Sequence, residues 1–249
     1  SDTEVILELF ALKGPAFLKL LNGIYALAIW DKEKELLFIA RDPFGVKPLY
    51  FYQEDKTFIF SSEIKSMLAI KSFKKSLDYE AITRCLTFLW SPYPDTTFEH
   101  VKKLKPGTYM CIKNTRIIEE RSFYKKIFNN EVSFSSQKEL EGLVAQQIEG
   151  SVKNQMVSDA PLGSFLSGGL DSTAVTYFAS RTKPDGFQSF TINALDLDPY
   201  QEGISEDLSY AKEFAENNNI DLNIVEISSS ITDELDEIIF HLDEPKADP

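Results

Sequence analysis

The stretch Leu166-Ser167-Gly168-Gly169-Leu170-Asp171-Ser172 follows an apolar segment that predicts a strand, Gly163–Leu166, and precedes a pattern that predicts a helix, Ser172–Arg181. Two adjacent glycines let the backbone turn sharply and bring its N–H groups close to a bulky anion, and the N-terminus of the following helix favours negative charge there. Ser167 and Ser172 add hydroxyl donors. Asp171 would repel phosphate, so its presence predicts Mg²⁺ that bridges phosphate oxygens. We therefore predict a loop that binds phosphate and metal together.

The residue types of this loop narrow the chemistry that we expect. An ordinary turn explains an isolated Gly-Gly pair, but it does not explain the whole string between a strand and a helix. The GxxxxGK[ST] loop of common nucleotide hydrolases brings a lysine to the terminal phosphates, and no lysine lies in this loop. A loop that holds the pyrophosphate end of ATP suits a reaction in which a nucleophile attacks the α-phosphorus and pyrophosphate leaves.

Strand and helix patterns alternate on both sides of the loop. Ser136 and Glu139 form a capping-box pattern, and the helix that follows them has one apolar face. The later predicted elements are strand Phe187–Ile192, helix Glu206–Asn217, strand Asp221–Ile227 and helix Thr232–Leu242. Repeated strand and helix units predict a parallel sheet covered on both faces, so we predict an α/β domain over residues 137–249.

The first 128 residues show a different pattern, in which apolar strands alternate with charged hairpin loops. The predicted strands are Leu21–Trp30, Leu36–Ala40, Pro48–Tyr52 and Thr57–Ser61, with a further pair after Pro106-Gly107. The predicted helices are residues 3–12, 63–69 and 79–89, and Thr3 or Asp2 caps the first of them. This mixture predicts an α+β domain of stacked sheets flanked by helices over residues 1–128. A polar linker, residues 129–136, joins the two domains.

Charge and composition exclude several classes of protein. The 249 residues include 26 Lys and Arg against 39 Asp and Glu, and this net charge of −13 disfavours a nucleic-acid partner. Residues 1–128 carry 20 basic and 16 acidic groups, whereas the remainder carries 6 and 23, which supports the domain boundary. No apolar run has the length of a membrane span, and Cys85 and Cys111 are predicted to be buried hydrophobes. We expect a cytoplasmic protein with no membrane partner.

Several stretches together carry a family resemblance. Those in the first half are Asp2-Thr3-Glu4-Val5, residues 21–31 (LNGIYALAIWD) and residues 40–50 (ARDPFGVKPLY), and those in the second half are residues 167–172 (SGGLDS) and 243–249 (DEPKADP). The first three are similar to the class II glutamine amidotransferase domain. SGGLDS resembles the pyrophosphatase loop of the ATP-pyrophosphatase enzymes. The whole order resembles the glutamine-hydrolysing asparagine synthetase family.

The resemblance implies a layered αββα glutaminase domain that releases ammonia from glutamine, and a synthetase domain that uses ATP and Mg²⁺ to adenylate a carboxylate, normally aspartate. Ammonia then converts the adenylate to an amide. Asp2 matches the residue that binds the α-amino group of glutamine. The residues that match the ATP site are Leu166, Ser167, Gly168, Gly169, Asp171, Ser172 and Ile192, and Asp171 also matches the metal ligand. A homodimer is a further family expectation.

Other parts of the family pattern are not visible in this sequence. The family nucleophile is an N-terminal cysteine, and Ser1, Cys85 and Cys111 do not fit that role. Asn22-Gly23 lies inside a strand pattern downstream of Asp2, so it does not match the oxyanion segment. No second serine- and glycine-rich loop follows residues 243–249. We therefore expect a fragment that lacks the start of the first domain and the end of the second, contains no catalytic residue and does not hydrolyse glutamine.

Four alternatives remain open. The acceptor could be another carboxylate, such as a sugar acid in surface polysaccharide synthesis or a β-lactam precursor, or the protein could be a non-catalytic paralogue. Arg41, Asp42, Gly45 and Lys47 either structure a loop, which the pattern favours, or contact substrate. The adjacent Asp243 and Glu244 either bind substrate or metal, or simply end an acidic helix.

Overall fold

A computed structural model describes residues 1–126, 133–183, 187–195, 204–227 and 234–245. The chain divides into two compact units, one of residues 1–129 with 235–249 and the other of residues 130–234. The predicted second domain, residues 137–249, thus differs from the second unit at its end, because residues 235–249 group with the first unit. The domain limits themselves stay a prediction, and the predicted linker lies partly outside the described residues.

Two antiparallel sheets form the first unit. One has the strand order β1 (Ala26–Asp31), β2 (Leu36–Arg41), β6 (Thr108–Lys113), β7 (Arg116–Ser122), and the other has the order β4 (Thr57–Ser61), β3 (Tyr50–Glu54), β5 (Val101–Lys103). The predicted charged hairpins join β1 to β2 and β3 to β4. The helices of this unit are α1 (Asp2–Lys13), a 3₁₀ helix (Gly14–Leu20), α2 (Ile64–Met67), α3 (Tyr79–Phe88) and α7 (Leu235–Leu242).

The core of the first unit follows the two-residue period of β2. Phe38 belongs to a cluster that also contains Phe17 of the 3₁₀ helix and draws on residues of α1. Its neighbour Ile39 belongs to another cluster, which contains Met110 of β6 and draws on Phe51 of β3. Since successive strand residues point to opposite faces, β2 packs on a helical layer on one face and contacts residues of the second sheet on the other.

The second unit contains a parallel sheet with the strand order β10 (Asp221–Ile227), β9 (Gln188–Ala194), β8 (Gly163–Phe165). Both strand pairs are parallel, with Phe165 opposite Phe190 in one pair and Asn223 opposite Phe190 in the other. Its helices are α4 (Gln137–Gln155), α5 (Leu170–Thr182) and α6 (Ile204–Asn218). The carboxyl ends of β8 and β9 therefore lie at one edge of the sheet, next to the start of α5.

Helix ends and strand starts differ from the prediction in ways that local chemistry explains. Ser1 caps α1 and accepts a hydrogen bond from the Glu4 N–H, so neither Thr3 nor Asp2 is the cap. Strand β1 begins at Ala26 instead of Leu21, because the 3₁₀ helix and the turn-forming Asn22-Gly23 pair precede it.

The predicted capping box of α4 forms only in part. Ser136 caps the helix and accepts from the Glu139 N–H at 3.2 Å, as predicted. The Glu139 carboxylate instead accepts from the Ser135 N–H at 2.9 Å, one residue earlier than a capping box requires. The predicted start of the last helix, at Thr232, lies outside the described residues.

Cys85 and Cys111 are buried and free, which confirms their interpretation as small core residues. Among the described residues, no helix combines the length and the apolar character needed to cross a membrane.

Candidate active site

The loop of residues 167–172, hereafter the Ser167 loop, joins β8 to α5 and is closed by its own hydroxyl groups. Ser172 Oγ accepts from the Ser167 N–H at 3.2 Å, donates to the Gly169 carbonyl at 3.1 Å and lies 3.0 Å from Ser167 Oγ. The buried Leu166 donates its N–H to the Phe190 carbonyl at 2.8 Å, which fixes the strand end before the loop. The two serine hydroxyls, predicted as ligand donors, thus also hold the shape of the loop.

Gly168 lies against α6 at a distance that excludes a side chain. Its φ is +86°, and a Cβ atom built on it would lie 2.4 Å from the Asp207 carbonyl oxygen and 3.0 Å from Tyr210 Cβ. Gly169 has a φ of −70°, and a Cβ there would meet only Ser167 Oγ, at 3.5 Å. The first glycine therefore permits the packing of the loop on a helix, whereas the second leaves the backbone open at the start of α5.

The first turn of α5 supplies the donors that an anion needs. Gly169 is the N-cap residue and makes no side-chain cap, so the first N–H groups of the helix remain available to a ligand, as at helix N-termini generally. Asp171 lies in this turn with an exposed side chain, and no hydrogen bond or ion pair joins it to another described residue. Its carboxylate is therefore available at the place where the helix favours negative charge.

The donor set around Asp171 fits Mg²⁺ bound together with a nucleotide. Within the described part of the chain, no group of three or more His, Cys, Asp or Glu side chains forms a metal site. Mg²⁺ commonly uses one or two carboxylates and completes its shell with phosphate oxygens and water. One free carboxylate beside unoccupied helix N–H groups satisfies that requirement, whereas it would not hold a metal tightly without phosphate.

A cavity of about 270 Å³ lies beside the loop, at the carboxyl ends of β8 and β9. Three of the residues predicted to contact ATP line it, namely Leu166, Ser167 and Ile192. Sequence reasoning missed the other lining residues, which are Phe165, Phe190, Thr191, Asp207 and Leu208. Phe190 and Thr191 could have been found as the neighbours of Ile192 in a strand, but Asp207 and Leu208 come from α6 and carry no local signal. The site is thus apolar on one side and close to anion donors on the other.

Asp2, the predicted glutamine-binding residue, is the first residue of α1 and lines a cavity of about 520 Å³ in the first unit. Its Oδ1 accepts from the Thr3 N–H at 2.8 Å. Tyr25 and Lys47 line the same cavity. The Tyr25 hydroxyl is buried and has no hydrogen-bond partner among the described residues, and desolvation, together with the Asp42 charge, raises the pKa of Tyr25 to about 12. Sequence reasoning gave no role to this tyrosine.

Residues 41–49, hereafter the Arg41 loop, are held by two charged side chains. The Arg41 guanidinium donates to three carbonyls, those of Gly45 and Lys47 at 2.7 Å each and that of Leu104 at 2.8 Å. The fully buried Asp42 carboxylate accepts from the N–H groups of Phe44, Val46 and Lys47, at 3.0, 3.1 and 3.0 Å. These contacts agree with the structural interpretation of the motif, since three of the five N–H donors of Arg41 bind backbone carbonyls.

The hydrogen bonds of Asp42 also decide its charge. Desolvation alone would raise the pKa of Asp42, but the N–H groups of Lys47, Val46 and Phe44 outweigh that effect and lower the pKa below its usual value. Gly45 has a φ of +66°, and a Cβ on it would lie 2.7 Å from Pro106 Cγ, so this position of the motif also requires glycine. The loop is built around a buried carboxylate whose ionised form these N–H groups stabilise.

Comparisons with known proteins match the two halves of the chain to two protein families. Residues 1–125 match the family described as glutamine amidotransferase domain, and residues 143–249 match the family described as asparagine synthase. The chain is 35% identical, over its whole length and 38% of the relative, to glutamine-hydrolysing asparagine synthetase 1 of Bacillus subtilis.

Two further relatives carry similar names. A putative glutamine-hydrolysing asparagine synthetase 2 of Methanocaldococcus jannaschii is 36% identical over 70% of this chain and 34% of its own length. Glutamine-hydrolysing asparagine synthetase 3 of Bacillus subtilis is 34% identical over 72% of this chain and 29% of its own length. The chain thus spans less than two fifths of each of these relatives. With a glutamine amidotransferase region followed by an asparagine synthase region, the chain belongs to the glutamine-hydrolysing asparagine synthetase family.

Proposed function

We propose that this protein acts as a glutamine-dependent asparagine synthetase. In the proposed reaction, a carboxylate oxygen of aspartate attacks the α-phosphorus of ATP, the bond from that phosphorus to the bridging oxygen breaks, and pyrophosphate leaves. Ammonia released from glutamine then attacks the acyl carbon, and AMP leaves as the amide forms. The observation that carries the proposal is the Ser167 loop, whose glycine backbone and helix N–H groups are open to an anion beside a free carboxylate.

The second unit supplies the residues for ATP in this proposal. The phosphates bind at the first turn of α5, and the adenine ring enters the cavity lined by Leu166 and Ile192. Asp171 would hold Mg²⁺, and the chemistry that the ion would supply there is neutralisation of phosphate charge. Ser167 and Ser172 keep the loop in the shape that receives the phosphates.

The first unit supplies the glutamine site in this proposal. Asp2 lines the larger cavity and pairs with the α-amino group of glutamine. We further propose that the two sheets and their helices form the layered αββα arrangement of the amidotransferase domain, an idea supported by core clusters on both faces of β2. Family membership also supports a cytoplasmic homodimer.

The test is aspartate-dependent release of pyrophosphate from ATP by the complete protein, with the substitution Asp171→Asn. We expect aspartate to trigger release in the wild type, and we expect the variant to lose activity by on the order of 100-fold, because a neutral amide binds Mg²⁺ poorly. The matched control is Asp159→Asn, an exposed aspartate in the same unit with no assigned role, which should leave the rate unchanged.

The acceptor is tested separately from the loop. If aspartate gives no pyrophosphate but a sugar acid or another carboxylate does, the ATP assignment stands and the proposed acceptor is wrong. If no carboxylate triggers release and Mg-ATP does not bind, the protein is a non-catalytic relative and the proposal fails.

A further inference from the structure

Residues Asp243 and Glu244, hereafter the acidic pair, are anchored in the first unit although they belong to the asparagine synthase match by sequence. They follow α7 directly, at the point where the sequence left open a ligand role or a simple helix end. Both side chains are nearly buried, with exposed fractions of 8% and 10%. Burial of two adjacent carboxylates is costly unless specific partners satisfy them, so their contacts reveal their role.

Asp243 caps a helix that is remote in sequence. It ends α7 with a φ of +64°, and its two carboxylate oxygens accept from the N–H groups of Ile64 and Lys65, at 2.5 and 2.8 Å. These are the first N–H groups of α2, whose own N-cap residue, Glu63, makes no side-chain cap. Each oxygen of Asp243 therefore accepts from a protein donor, and Oδ1 also lies 4.0 Å from Lys65 Nζ.

Glu244 is held by a hydroxyl and an ammonium group. Its Oε2 accepts from the Tyr50 hydroxyl at 2.7 Å. Its buried Oε1 forms an ion pair with Lys103 Nζ at 3.1 Å, a side chain that is itself only 14% exposed, but has no hydrogen-bond partner among the described residues. The next residue is anchored as well, since the Pro245 carbonyl accepts from Cys85 Sγ at 3.4 Å. Burial, and to a smaller extent the Glu244 carboxylate, raises the pKa of Tyr50. The hydroxyl therefore stays neutral and can donate to the Glu244 anion.

A short segment of chain connects Tyr50, a partner of the acidic pair, to the candidate glutamine site. Tyr50 is the first residue of β3 and directly follows the Arg41 loop, and both line a cavity of about 450 Å³ with the acidic pair. Lys47, three residues before Tyr50, lies on the wall of the cavity that contains Asp2. A change at Glu244 can therefore reach the glutamine cavity through one short, well-bonded segment of chain.

We propose that Asp243 and Glu244 are positioning residues through which the synthetase part of the sequence sets the conformation of the glutamine-site loop. In this assignment their role is to hold the loop and not to bind metal or carboxylate substrate. This inference rests on the proposed function, because it assigns the pair to the coupling of glutamine hydrolysis to amide synthesis. Loss of either carboxylate therefore affects the use of glutamine and spares synthesis from free ammonia.

The test compares glutamine-dependent and ammonia-dependent synthesis by the complete protein with the substitutions Glu244→Gln and Asp243→Asn. We expect the ammonia-dependent rate and the KM for Mg-ATP to stay within twofold of the wild type. We expect the glutamine-dependent rate to fall about tenfold, with more glutamate formed per amide. Glu237→Gln is the matched control, since Glu237 is an exposed acid on α7 that should change neither rate.

A double-mutant cycle adds a readout that does not depend on activity. Tyr50→Phe should shift the thermal midpoint by an amount that is not additive with the shift from Glu244→Gln, because the two residues share one bond. A raised KM for aspartate or Mg²⁺ and loss of ammonia-dependent synthesis would make the pair ligands and overturn the proposal. Unchanged glutamine use would overturn it equally. If the wild type makes no amide at all, the proposed function fails. The thermal cycle still tests the inference in that case, because additive shifts would show that Tyr50 and Glu244 do not interact.

Discussion

The Arg41 loop and the Ser167 loop both connect a strand to the segment that follows, yet they treat their backbone polar groups in opposite ways. In the Arg41 loop, two charged side chains of the loop itself form hydrogen bonds with backbone groups. Arg41 donates to three carbonyls, and Asp42 accepts from three N–H groups. In the Ser167 loop, hydroxyls close the turn, and the N–H groups at the start of α5 remain open.

This difference separates a structural motif from a candidate ligand site. Ionised side chains that are hydrogen-bonded to the backbone rigidify a loop, and a substrate that took over those bonds would release the loop. Glycines and a helix N-terminus leave a concentrated set of donors with no protein acceptor. Both stretches contain Asp and Gly in short succession, so it is the destination of their hydrogen bonds that distinguishes them.

The largest effect should come from Asp42→Ala in the Arg41 loop. The substitution removes a buried carboxylate and leaves three N–H groups without their acceptor, so we expect the free energy of unfolding of the first unit to fall by about 4 kcal/mol. Chemical denaturation with a probe in that unit measures the change. Glu8→Ala, at an exposed position of α1, should change stability by less than about 0.5 kcal/mol. Equal losses in the two variants would show that the Asp42 contacts do not hold the loop.

A smaller effect is expected from Gly168→Ala in the Ser167 loop. A Cβ atom 2.4 Å from the Asp207 carbonyl forces the loop away from α6 at a positive φ, so we expect a loss of about 3 kcal/mol. Urea denaturation of the second unit measures this loss.

Gly169→Ala is the matched control for that substitution, since its φ is ordinary and its nearest contact is 3.5 Å. We expect it to cost less than about 1 kcal/mol but to weaken Mg-ATP binding, because the new methyl group would lie on the backbone that is proposed to face the phosphates. If Gly169→Ala destabilises the unit as much as Gly168→Ala, the two glycines do not have the separate roles that the structure assigns to them.

The sequence predicted the elements whose signal is local. The hairpins between β1 and β2 and between β3 and β4 follow from apolar strands around charged turns, and the parallel sheet elements follow from alternating strand and helix patterns. The pairing of β2 with β6, which aligns Leu37 with Ile112, was outside such reasoning because it joins segments that are remote in sequence. The short strand β5 was missed for the same reason.

The candidate site was predictable to a similar extent. The glycines and Asp171 identify the Ser167 loop, since that chemistry lies in consecutive residues. The approach of Gly168 to α6 and the contribution of Asp207 to the cavity depend on tertiary packing, which the local pattern does not encode. The same limit applies to the Asp243 cap of α2, whose donor and acceptor are far apart in the sequence.

The smallest effect should appear in the response of the first unit to acid. Folding lowers the pKa of Asp42, so its ionised form stabilises the unit above the unfolded pKa of about 4, and this contribution is lost as the pH falls through the folded pKa. Between pH 5 and pH 2.5, wild-type stability should therefore decline more steeply than that of Asp42→Asn, whose amide does not titrate. Glu8→Gln should keep the wild-type slope. Parallel curves for wild type and Asp42→Asn would mean that the three N–H donors do not stabilise the ionised carboxylate. The contrast between the Arg41 loop, whose own side chains bind its backbone, and the open Ser167 loop would then have no electrostatic basis.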